Sequence, residues 1–245
     1  MTHSLMKLRS FIVEELAWET SACFTLRLKP ESPDELFDFL PGQWVYLHLL
    51  NEDGSSWARA AFSVASAPEG SKELLEFGIK VYGDFTKRAS NLIPGDKVTL
   101  QGPFGRFVLT EGESNLVMFA GGIGISPLLS MIRSLAARNA DVDITLFYSN
   151  KTVEDIAYRE ELERIKKAWP HLRIIHFLTQ EASLPEGFEA ELGRLDAARL
   201  DQYLPNPSAP MYFMCGPRAF MEQVRTLLSE RSVDVKKRLQ EELFG

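Results

Sequence analysis

At 245 residues the chain is long enough for one large hydrophobic core or two ordinary ones, and with 45% hydrophobic and 25% charged residues it reads as globular. Its net charge of −7 is spread evenly, 14 acidic against 11 basic side chains up to residue 110 and 20 against 16 beyond, which excludes a basic nucleic-acid-binding face. Two cysteines, Cys23 and Cys215, are too few for a four-cysteine iron–sulfur cluster, and His3, His48, His171 and His176 lack ligand spacing, so no resident metal is expected.

In chain order, the opening "MTHSLMKLRSFIVEELAWET" sets charges on both sides of a very short apolar stretch, so neither a signal peptide nor an anchor is expected, and the expected location is the cytoplasm. Short β-type segments follow: "SACFTLRLKP", "GQWVYLHLL", "AAFSVASAP", "ELLEFGIKVYG", "DKVTLQGP" and "RFVL". Turns at "PESPDE", "NEDGSS", "PEGSKE" and "IPGD" separate them at the spacing of an antiparallel barrel, with one short helix expected at "FTKRASNLI". From residue 115 the rhythm changes to strand then helix: "NLVMFA" with "SPLLSMIRSLAARN", "VDITLFYSN" with "EDIAYREELERIKKAW", "LRIIHFLTQ", "DAARLDQYL", and "PMYFMCGP" with "RAFMEQVRTLLSE". Such alternation predicts a doubly wound parallel sheet. The expected organisation is therefore an antiparallel β-barrel over residues 1–110 and an α/β nucleotide-binding domain over 111–245.

The apolar run containing "FAGGIGISPLLSMI" places Gly121, Gly122, Gly124 and Pro127 at its centre, which argues against a membrane-spanning helix. It parses as a buried strand, a tight glycine loop and a helix capped by Ser126 with Pro127 at its first position. Glycines leading into a helix N-terminus favour an anion, although a merely tight turn would use the same residues. In a parallel sheet, ligands bind beyond the carboxyl ends of the strands, where "GGIGIS", "YSNKT", "LTQE" and "CGPRAF" all fall.

The ordered set "AFSVAS", "GDFT", "GPFG", "GGIGISP" and "CGPRAFM", spread over essentially the whole chain, resembles the ferredoxin-NADP reductase superfamily of flavoproteins. "FYSNKTVEDIAYREELERI" looks most like its NADH-using branch of oxygenase reductase components and reductases of b-type cytochromes. The resemblance implies FAD on the first domain, NADH or NADPH on the second, and hydride transfer between them. It implies that the Phe62 ring packs on the flavin, that the Ser63 hydroxyl reaches flavin N5, and that Gly83, Phe85 and Thr86 belong to a turn receiving the FAD pyrophosphate. The family's pyrophosphate arginine stands three residues before the serine, whereas Arg59 stands four before Ser63. Arg59 is the candidate for that pyrophosphate contact, although strand parity places it on the face opposite Phe62 unless a bulge restores it. Lys80 is expected as a rim residue and Gly102–Gly105 as an interdomain turn.

In the second half, the resemblance implies that Gly121, Gly122, Gly124, Ser126 and Pro127 take the dinucleotide phosphates, with Ser149 and Asn150 also on the nucleotide edge. Cys215, Gly216 and Pro217 correspond to the nicotinamide contact, and Met221 is a core position. Glu242 and Phe244 align with the Glu-x-Tyr that ends plant-type members, where the tyrosine covers the flavin and the glutamate lies near the hydride path, which makes Phe244 a candidate flavin contact. Gly245 is extra, and in several relatives this segment is only the last strand. Ser63, Cys215 and Glu242 are thus the candidate catalytic residues. Dinucleotide choice rests on charge. Glu181 stands where NADPH users place a cation, which favours NADH, although Ser149 and Lys151 offer partners to a 2′-phosphate. The electrons are expected to leave to a separate acceptor: a ferredoxin, a haem protein, an oxygenase component or a small molecule. Two rival readings are a free flavin reductase that uses flavin as substrate, and a regulatory or assembly subunit that binds nucleotide without turnover.

Overall fold

A computed structural model of the chain describes residues 7–69, 73–109 and 112–243. Phe244 and the expected domain boundary between residues 110 and 111 lie outside the described residues. The chain divides into two compact units, Met1–Leu109 with Leu129–Arg138, and Thr110–Leu128 with Asn139–Gly245.

The first unit is a six-stranded antiparallel sheet built from β1 (Leu8–Trp18), β2 (Cys23–Pro30), β3 (Trp44–Leu50), β4 (Ser56–Ser63), β5 (Leu75–Lys80) and β6 (Lys97–Phe104), in the order β4-β3-β6-β1-β2-β5. Its core alternates along the strands: Phe11 and Val13, Phe24, Leu26 and Leu28, Val45, Leu47 and Leu49, Phe77 and Ile79, Val98 and Leu100 are all buried. Each such side chain contributes roughly 1.5–3 kcal/mol. Helix α1 (Gly83–Ala89) follows β5.

Three elements differ from the expectation. The opening segment forms the long strand β1, inserted between β6 and β2. A register shift between Val13 and Glu15 ends its buried alternation, which hides the strand in the sequence. "RFVL" is not a strand, because Gly105 at φ +100° ends β6 just before it. "GPFG" is not a free turn either, since Gly102 to Phe104 complete β6.

The second unit is a six-stranded parallel sheet in the order β10-β9-β8-β7-β11-β12, with β7 (Asn115–Gly121), β8 (Asp143–Asn150), β9 (Leu172–Leu178), β10 (Glu191–Leu192), β11 (Met211–Gly216) and β12 (Leu239–Leu243). Its helices are α2 (Ile125–Ala137), α3 (Arg159–Ala168), α4 (Ala197–Tyr203), α5 (Arg218–Glu230) and α6 (Val235–Arg238), and residues 129–138 of the α2 segment belong to the first unit. One face of the sheet buries Phe119, Phe147 and Phe177 against Leu200 of α4 and Met221 and Val224 of α5. The alternate residues Met118, Leu146 and Tyr148 are buried as well, so these strands read as continuous apolar runs. The chain steps from β7 outward to β8 and β9, then returns to place β11 on the other side of β7, making the switch point at β7 and β11. The segment at the end of the chain is the edge strand β12. Among the described residues no helix is long and apolar enough to cross a membrane.

Candidate functional site

In the first unit the expected residues gather around the edge strand β4. The Phe62 ring centroid lies 5.8 Å from that of Phe85, and Phe85 stacks on Trp57 at 6.3 Å. The Arg88 guanidinium sits 4.5 Å over the Trp57 ring and donates to the Leu50 carbonyl at 2.8 Å. Gly83 opens α1 at φ +78°, a conformation that glycine adopts without strain. Thr86 is the fourth residue of α1 rather than its cap. Its Oγ1 accepts the Tyr82 N–H at 2.5 Å and donates to the Gly83 carbonyl at 3.3 Å, a reach-back that ties down the residue before the helix. Ser63 ends β4 and is buried. Lys80 ends β5 and is exposed.

Arg59 is not brought to this group. Strands β3 and β4 pair without a break from Trp44↔Ser63 through His48↔Arg59 to Leu49↔Ala58, and the register shifts only between Leu49 and Leu50. Parity therefore holds, and Arg59 and Phe62 occupy opposite faces. Arg59 Nη1 donates to Gln101 Oε1 at 3.2 Å, and its guanidinium lies 4.3 Å over the Tyr46 ring.

In the second unit three glycines leave no room for a side chain. A Cβ on Gly124 would stand 2.3 Å from the Cys215 carbonyl oxygen, one on Gly121 would stand 2.7 Å from Pro217 Cδ, and one on Gly216 would stand 2.9 Å from Gly121 Cα. The loop after β7 and the loop after β11 thus close on each other backbone to backbone at the switch point. Gly122, at φ +53°, faces open space. A glycine backbone leading into a helix N-terminus suits a phosphate. Helix α2 begins at Ile125, so Ser126 lies inside it and its hydroxyl donates back to the Ile123 carbonyl at 3.0 Å instead of capping the helix. Pro127 falls in the first turn, where its missing N–H breaks no helical bond.

Cys215 is fully buried, and Glu242 is its register partner on β12. Burial pushes the Cys215 thiol well up and the Glu242 carboxylate adds to this, so the group is a neutral thiol and not a thiolate nucleophile. At the end of β8, Ser149 is half-buried, and Asn150 is buried with its Nδ2 unpartnered among the described residues. Glu181 Oε2 accepts the Val153 N–H at 3.0 Å, while the Gln180 N–H reaches the Lys151 carbonyl at 2.9 Å. A carboxylate is thereby fixed beside the loop that carries Ser149, Asn150 and Lys151.

Trp57 and Arg88 were not among the expected residues, although a signal exists: Phe85 and Arg88 stand three apart on a helix and so share a face. Ser130 and Arg133 were also missed. Their partners Ser66, Ala65 and Glu76 lie 57 to 68 residues away, and no local spacing reveals such contacts.

The family model of the oxidoreductase FAD-binding domain matches residues 12–109, and that of the oxidoreductase NAD-binding domain matches residues 118–226. The glycine betaine monooxygenase reductase subunit of Chromohalobacter salexigens is 32% identical over 216 residues, which cover 86% of this chain and 57% of that relative. A flavohemoprotein of Rhodopirellula baltica is 27% identical over 97% of this chain and 60% of its own length, so the chain spans about 60% of the curated relatives it matches. In fold, the chain is similar to the FAD/NAD-binding domain of a nitric oxide dioxygenase from Vibrio cholerae, with a TM-score of 0.85 at 22% identity over 97% of this chain and 98% of that one. An antiparallel FAD-binding unit joined to a parallel NAD-binding unit defines a two-domain flavin- and nicotinamide-dependent class of oxidoreductase. The chain belongs to the ferredoxin-NADP reductase superfamily. Its cofactors are FAD and a nicotinamide dinucleotide.

Proposed function

We propose that the chain is a FAD-dependent NAD(P)H reductase that serves a separate electron acceptor, of the ferredoxin, haem-protein or oxygenase-component kind. The observation that carries this is the backbone closure of Gly121 and Gly124 on Cys215 and Gly216, a cradle that any side chain would fill. The name of the Chromohalobacter relative, a monooxygenase reductase subunit, supports a separate acceptor. When bound, FAD accepts the hydride of NAD(P)H and releases electrons onward.

The residues divide the work as follows. Phe62 offers its ring to the flavin and Ser63 its hydroxyl to flavin N5, while Gly83, Phe85 and Thr86 shape the turn for the pyrophosphate. Gly121, Gly122, Gly124, Ser126 and Pro127 hold the dinucleotide phosphates, and Ser149 and Asn150 hold its nucleoside. Cys215, Gly216 and Pro217 give the nicotinamide a close, uncharged wall, and Glu242 sets the polarity behind it. NADH is the preferred donor, because the Glu181 carboxylate repels a 2′-phosphate. The boundary between the FAD and NAD(P)H domains lies near residue 110, and two buried thiols, Cys23 and Cys215, suit a reducing cytoplasmic setting.

One observation favours a second reading. Arg59 faces away from Phe62, so this cation is withheld from that side of the strand, as a free flavin reductase releasing its flavin would require. Exhaustive dialysis followed by a visible spectrum separates the two. Retained flavin supports the electron-transfer reductase, and a colourless protein that oxidises NADH only with added flavin supports the second reading.

A further inference from the structure

The segment that follows Ser63 is held by side chains from far along the chain, all within the first unit. Arg133 Nη1 donates to the Ala65 carbonyl at 2.9 Å and to Glu76 Oε2 at 2.5 Å. Ser130 Oγ donates to the Ser66 carbonyl at 2.6 Å. From the neighbouring strand, the Glu76 carbonyl accepts the Ala65 N–H at 2.8 Å, and Ser66 Oγ accepts the Glu76 N–H at 3.2 Å. Residues 65 and 66 are therefore gripped from β5 on one side and from α2 on the other.

Arg133 is not the only guanidinium on the Glu76 carboxylate, because Arg27 Nε donates to its other oxygen at 2.8 Å. What Arg133 adds is a charged hydrogen bond to a backbone carbonyl, and such bonds are about twice as strong as neutral ones. The Arg133 and Glu76 side chains are only 15% and 18% exposed, so water does little to weaken the grip. A residue needed only for packing would not require two hydrogen-bond donors on one face of α2, aimed at successive carbonyls.

We propose that Arg133 and Ser130 are positioning residues for Ser63: by clamping the Ala65 and Ser66 carbonyls they set how the Ser63 hydroxyl is presented to the flavin. The inference rests on the reading of Ser63 given above.

The test is anaerobic stopped-flow reduction of the FAD-loaded full chain at saturating NADH, in wild type, Ser63→Ala, Arg133→Met, Arg133→Lys, Ser130→Ala and the Ser63→Ala/Arg133→Met and Ser63→Ala/Ser130→Ala double variants. Arg133→Met is expected to slow the limiting rate at least tenfold, with the NADH concentration dependence within twofold of wild type. Ser130→Ala is expected to slow it about threefold, and Arg133→Lys, which keeps the charge and a donor, to stay within about threefold of wild type. In the Ser63→Ala background Arg133→Met should cost less than a further twofold, since both act on one group. An unchanged rate in Arg133→Met, or losses that multiply in the double variant, overturns the proposal. If Arg133→Met does not fold, a Ser130→Ala loss that multiplies with that of Ser63→Ala overturns it instead. Ser63→Ala reacting at the wild-type rate overturns the Ser63 reading itself and this inference with it, a result distinct from a multiplicative double variant.

Discussion

The backbone of Gly124 and the carbonyl of Cys215 are packed so closely that a Cβ on Gly124 would stand 2.3 Å from that oxygen, a separation that real Cβ atoms essentially never show. Gly124→Ala must push the two loops apart at the switch point. Overpacking of this kind costs roughly 1–3 kcal/mol, a drop of several degrees in Tm for a chain of this length. Gly122→Ala, with open space around its Cβ, pays only for its left-handed backbone, about 1 kcal/mol. Thermal melts of the two variants, with NADH titrations beside them, should rank Gly124→Ala as the more damaged in both.

The opposed faces of Arg59 and Phe62 predict which guanidinium matters to flavin. Arg59→Gln should leave FAD affinity within twofold of wild type. Arg88→Gln removes the cation over Trp57, in the ring stack that continues to Phe62, and should weaken FAD about tenfold, or about 1.4 kcal/mol, with little change for riboflavin. Fluorescence titration with both flavins measures this, and a large loss in Arg59→Gln would reverse the assignment.

Glu181→Gln keeps an oxygen to accept the Val153 N–H but removes the charge. The expected result is a kcat/KM for NADPH raised about tenfold and a kcat/KM for NADH within twofold, read from steady-state assays with an artificial acceptor. No change in the ratio would show that the carboxylate does not set the choice.

His176 is buried between the rings of Tyr148 and Phe188, and burial lowers its pKa from 6.5 to about 4. The unfolded chain therefore binds a proton below about pH 6.5 that the folded chain refuses until about pH 4, so stability must fall as pH drops through that window. The full loss is on the order of 3 kcal/mol. Glu76 acts lower on the scale. Burial works to raise its carboxyl, yet Arg133 and Arg27 hold it below the usual range, and its contribution disappears only as pH falls below the ordinary carboxylate value. Denaturant melts from pH 7 to 4.5 should show a slope in wild type that is reduced in His176→Phe.

The parallel unit was readable because its strands are continuous apolar runs and its loops carry the glycines; for Arg59, counting residues along β4 left two faces open, and only the unbroken β3–β4 register decides between them. The start of α3 was not readable. Its pattern runs back to Glu154, but the Asp155 carboxylate binds the Thr152 N–H and hydroxyl, and Tyr158 turns left-handed at φ +59°, so the helix begins only at Arg159. The strand β1 was hidden by its register shift, which replaces the alternation with the exposed pair Glu14 and Glu15. The clamp by Ser130 and Arg133 depends on which strand meets α2, a property of the tertiary fold that no window of the sequence holds.

If electrons enter through bound FAD, the visible spectrum of the dialysed, FAD-loaded full chain must change as NADH is added without oxygen. The oxidised flavin band is expected to bleach within seconds, faster with NADH than with NADPH. A flavin band that persists with both dinucleotides would contradict entry through FAD.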